Sequence, residues 1–104
     1  MRELPEAFTD FRRDHPQVHQ AYEALAKAAH ESGPLDERTR RLVKLAIAVG
    51  ARLEGAVRSH TWQARDAGVT EAEMDHVVLL SLTTIGLPSA VAARSWITSA
   101  LAKG

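Results

Sequence analysis

The chain has 104 residues, 45% of them hydrophobic and 25% charged, which suits one small soluble domain and not a disordered segment. Thirteen basic residues balance thirteen acidic ones, so the basic footprint of a nucleic-acid binder is missing and no nucleic-acid partner is expected. There is no cysteine, which excludes disulfides, thiolate metal sites and thiol peroxidase chemistry carried by this chain alone. The first residues are too polar for a signal peptide, and no apolar run reaches membrane-spanning length. A cytoplasmic location with no membrane partner is the expectation.

Strand signals are nearly absent, because aromatics are few and alternation is poor. An all-α fold of five or six helices in a single domain over residues 1–104 is expected. Residues 4–13 read as a short helix. Asp14-His15-Pro16 reads as the start of a second, with proline in its first turn. That helix carries Val18, Ala21, Tyr22 and Leu25 as a stripe and stops at Gly33-Pro34.

Asp36 suits the N-cap of the next segment. Leu45, Ala46, Val49, Leu53, Ala56, Val57, His60, Ala64 and Ala67 then repeat at helical spacing. This predicts one long helix, or two joined near Gly50 or Gly55. Gly68 suits a C-cap, and Thr70 with Glu73 makes a capping box between the staple residues Val69 and Met74. The helix that follows is apolar almost all round at Val77-Val78-Leu79-Leu80-Ser81-Leu82. One small subunit has too little cover for such a helix, which points to a subunit interface and self-association. Gly86-Leu87-Pro88 breaks the chain before a last helix to about Ala102.

Charge is uneven. Residues 34–65 hold seven basic and three acidic groups, while each flank is net acidic. This pattern fits neutralisation between helices or subunits, or an anion-binding face. His60 sits on the apolar stripe where Leu or Ala is usual. Burial would favour its neutral form, suited to proton transfer near neutral pH. The competing role is a core histidine satisfied by a carbonyl or carboxylate. Glu54 is a partner for His60 if the helix kinks, or a solvated residue otherwise. Arg52, Arg58 and Arg41 can hold a carboxylate by paired hydrogen bonds, or lie free on the surface. Thr84 and Trp62 are candidates to line a pocket, against the commoner role of packing. His15 and His19 stand i, i+4 apart, but the first turn of a helix is exposed and no glutamate completes a zinc pattern. No metal and no cofactor are expected. A helix-turn-helix reading of residues 64–76 fails because the would-be recognition helix opens with Glu71 and Glu73.

His60, Ala64, Gly68-Val69-Thr70, Glu73, Val77 and Gly86-Leu87-Pro88 together form one ordered pattern. It resembles the carboxymuconolactone decarboxylase family, which includes the alkylhydroperoxidase AhpD-like proteins, over about residues 40–97. The resemblance implies an AhpD-like helical bundle that assembles as a trimer or hexamer. The family's peroxidase branch carries a C-x-x-C whose positions are Leu53 and Ala56 here, and its relay glutamate falls about at Arg41. Thiol peroxidase activity is therefore not implied. The decarboxylase branch implies a cofactor-free lyase acting on a small carboxylated, lactone-like metabolite. His60 would be general acid/base, Glu54 its partner, Arg58 or Arg52 the carboxylate clamp, and Thr84 and Trp62 would line the pocket. The alternative is a catalytically silent family member that binds a small molecule or a protein.

Overall fold

A computed structural model describes residues 4–103. They form six α-helices and, among the described residues, no strand. The described chain divides at Pro34 into two compact units.

The first unit is a helix pair, α1 (Glu6–Asp14) and α2 (Pro16–Glu31). His15 leaves the helical conformation between them, at φ −133° and ψ 63°, and Pro16 opens α2, where its missing N–H costs nothing. Phe8 meets His19 edge-on at 5.6 Å between ring centres, and Phe11 meets His15 at 5.4 Å. Neither helix buries a residue. The expected stripe on α2 is present, but Val18, Tyr22 and Leu25 all stand exposed.

The second unit holds α3 (Glu37–Ala51), α4 (Glu54–Asp66), α5 (Glu71–Ile85) and α6 (Leu87–Lys103). The N-cap expected at Asp36 forms: its carboxylate accepts from the Thr39 amide at 2.8 Å, which holds its pKa below the usual carboxylate value. The capping box also forms. Thr70 Oγ1 accepts from the Glu73 amide at 3.1 Å, and the Glu73 carboxylate accepts from the Thr70 amide at 2.8 Å. Arg38 donates to the same carboxylate, and these bonds together pull the Glu73 pKa down to about 2.

The long segment is two helices joined between Gly50 and Gly55, near where a break is expected, but neither glycine makes the turn. Gly50 stays inside α3 and Gly55 inside α4. The chain turns at Arg52, which adopts the left-handed conformation at φ 58°. The Arg52 amide reaches Val49 O at 3.1 Å and the Leu53 amide reaches Ala48 O at 3.2 Å, a Schellman ending built on arginine instead of glycine. α4 ends in the same motif, with Gly68 at φ 89° and Val69 N on Ala64 O at 2.9 Å.

α3 packs on α4 and α5, and α6 packs on α4 and α5. Leu45, Val49, Val57, Met74, Val78 and Ile97 lead the core between them. Thr61, the buried polar residue of this core, turns its hydroxyl onto Val57 O at 2.7 Å and so stays satisfied. α5 has more apolar surface than these neighbours cover. Leu79 and Leu80 remain 58% and 65% exposed, with Val43 and Ile47 exposed on α3.

Candidate functional site

α4 presents three faces. Val57, Thr61 and Ala64 enter the core. A second face meets α6: Arg58 Nη1 donates to Ser99 Oγ at 3.0 Å, and Trp62 Nε1 donates to Ala100 O at 2.9 Å. The third face meets α3 and carries Ser59, His60 and Gln63. Arg41 Nη1 on α3 donates to Gln63 Oε1 at 2.6 Å, and Gln63 Nε2 donates to Ser59 Oγ at 3.0 Å.

The two-residue connection makes α3 and α4 an antiparallel hairpin, so one contact fixes the rest. Arg41 pairs with Gln63. Moving three residues toward the turn on each helix sets Lys44 against His60, about one turn away from that bridge.

His60 is half-buried. Its Nδ1 is shielded from solvent and bonded to nothing among the described residues. Burial is the main cause that lowers its pKa, and the charges of Lys44 and Arg41 add to it. The imidazole is therefore neutral at neutral pH. Lys44 is also lowered, first by burial and then by Arg41, with Glu37 acting the other way.

The remaining sequence candidates lie elsewhere on the second unit. Glu54 Oε2 accepts two bonds from Arg58, at 2.9 and 3.1 Å, forming an i, i+4 pair. Arg58 and His60 project about 200° apart around the helix. Arg52 occupies the turn and is exposed. Trp62 faces α6. Thr84 lines an apolar cavity of about 260 Å³ between α3 and α5, beside Ala46 and Gly50. An adjoining cavity of about 320 Å³ is lined by Leu42, Val43 and Val77. A third, of about 240 Å³, lies between α5 and α6 over the Asp75–Arg94 ion pair. His60 lines none of these three.

Helical spacing already sets Ser59 and Gln63 on the face of His60, whereas nothing in the sequence spacing joins Lys44 to it. The relevant signal is the position of the turn. With the break at Arg52–Leu53 known, counting back along each helix finds Lys44.

Both units are all-helical, and the four packed helices of the second carry a histidine on the α3–α4 hairpin. Residues 16–99 match the carboxymuconolactone decarboxylase family, and the chain belongs to that family. A solved relative in that family, a protein of Legionella pneumophila crystallised in its apo form, superposes with a TM-score of 0.78. It is 24% identical in sequence, and the match covers 92% of this chain and 86% of that one. An uncharacterized protein of Haemophilus influenzae is 38% identical over 61 residues, or 59% of this chain. The matched stretch spans about half of that relative's length, 54%. The expected family and helical architecture are both met.

Proposed function

We propose that the protein is a cofactor-free lyase acting on a small carboxylated, lactone-like molecule. In this reaction the carbon–carboxylate bond breaks and carbon dioxide leaves. The electron pair stays with the organic fragment; His60, neutral in the free protein, first takes a proton from solvent and then delivers it to carbon. The observation that supports this best is the His60 imidazole itself: half-buried, held neutral, and with a shielded nitrogen that no described residue uses. Leaving such an atom unpaired costs about 1–3 kcal/mol, a strain a purely structural histidine would relieve with a carbonyl. Glu54, Arg58, Arg52, Trp62 and Thr84 take no step in this scheme, because they occupy other faces.

The test is carbon dioxide release from carboxylated lactones by the wild type and by His60→Gln. Loss of turnover by about 10²-fold or more, with thermal stability retained, supports the proposal. Turnover that survives the substitution rejects it.

We also read the exposed face of Val43, Ile47, Leu79 and Leu80 as the contact between copies of the chain.

A further inference from the structure

We propose that Lys44 holds a carboxylate of the substrate at the His60 site, its ammonium set across the α3–α4 hairpin from the imidazole. The inference rests on the lyase reading and names the group that would recognise the substrate.

Three observations lead to it. The short turn and the Arg41–Gln63 bond bring Lys44 about level with His60 across the hairpin, near enough for its charge to act on the imidazole. The other cations on this stretch of α3 are already engaged. Arg41 Nε bonds Glu37 at 3.0 Å, Arg40 Nη1 lies 3.8 Å from Glu37, and Arg40 Nε donates to Leu35 O at 2.6 Å. Lys44 is partly buried and makes no hydrogen bond or ion pair with any described residue. A partly desolvated ammonium in no ion pair, whose nearest acting acid, Glu37, is bonded to Arg41, favours an incoming carboxylate. The Ser59 hydroxyl and the Gln63 amide, bonded to each other, share this face of α4 with His60.

The pairing has a chemical consequence. Lys44 is one of the charges that keep His60 neutral. A carboxylate bound to Lys44 offsets that charge, so substrate eases protonation of His60 against the burial and the Arg41 charge that still oppose it. Without ligand, the histidine stays neutral.

NMR titration of the His60 imidazole against pH, with and without maleate, tests this on the full chain. Maleate should raise the His60 pKa in the wild type and saturate. Dimethyl maleate, which has no charge, should do neither. Lys44→Met keeps the aliphatic volume and should fold. It should raise the His60 pKa without ligand and weaken maleate binding at least tenfold. Lys44→Arg should recover part of the binding. Equal maleate response in the wild type and Lys44→Met overturns the proposal, as does no response of His60 to maleate in a folded wild type. The lyase reading fails separately: maleate bound through Lys44 in a protein that releases no carbon dioxide leaves the carboxylate site standing. Carbon dioxide release with an unchanged KM in Lys44→Met removes Lys44 and keeps the lyase.

Discussion

The α1–α2 pair and the α3–α4 hairpin are both two helices joined by a very short break, and both carry an apolar stripe at helical spacing. Their fates differ. α3 and α4 bury Leu45, Ala48, Val49, Val57, Thr61 and Ala64, because α5 and α6 lie against them. α1 and α2 bury nothing. The stripe says which side of a helix is fit for burial. It does not say what provides the cover.

Substitutions at matched leucines measure that difference most directly. Leu45 is fully buried and Leu25 is 66% exposed. Leu45→Ala should cost about 2–5 kcal/mol in urea unfolding, and Leu25→Ala at dilute protein no more than about 0.5 kcal/mol. Equal costs would break the comparison and show that α2 is covered in solution. Next in size is the uncovered apolar face of α5. If copies meet there, light scattering should give a mass that is a multiple of the 11.4 kDa chain, and Leu80→Asp should return it toward one chain. A wild type that runs as a single chain at high concentration removes that contact.

The smallest expected effect is a pH slope. The folded pKa of His60 lies below its ordinary value of 6.5, so the unfolded chain binds the proton more readily. Stability should therefore fall as pH drops through about 6.5 toward the folded pKa. The groups facing His60 from α3 are Lys44 and Arg41, with Glu37 bonded to Arg41. His60→Gln should flatten the slope of melting temperature against pH in that window. Glu73 gives a second slope at lower pH. Its stabilising contribution is full above 4.5 and is lost as pH falls toward about 2, so it stays separable from His60.

The caps could be read from the sequence because their chemistry is local. Asp36 serves an amide three residues on, Thr70 and Glu73 serve each other, and Gly68 and Gly86 adopt the positive φ that glycine tolerates. The core stripe was legible in part, since Leu45, Val49, Val57 and Ala64 are buried while Ala46 and Leu53 stand exposed at and before the turn, and the uncovered surplus on α5 was legible too. The break at Arg52 was not. A non-glycine residue enters the left-handed region there because packing α4 back on α3 demands it, and no residue at that point announces the demand. The candidate site suffered from the same gap. His60 stood out as a polar residue among apolar ones. Lys44 is an ordinary surface-type residue until the turn position sets it against the imidazole.

The Arg52–Leu53 turn also makes chain length at one point a chemical variable. His60 lies seven residues beyond Leu53, about 10 Å along α4. One residue added to α4 between the turn and His60 would rotate the histidine by about 100° and carry it off the Lys44 face. Added residues at Gly33–Pro34 would leave the pairing alone. Among variants of this chain, a length change at the first place separates His60 from Lys44, while one at the second only lengthens the connection between the two units.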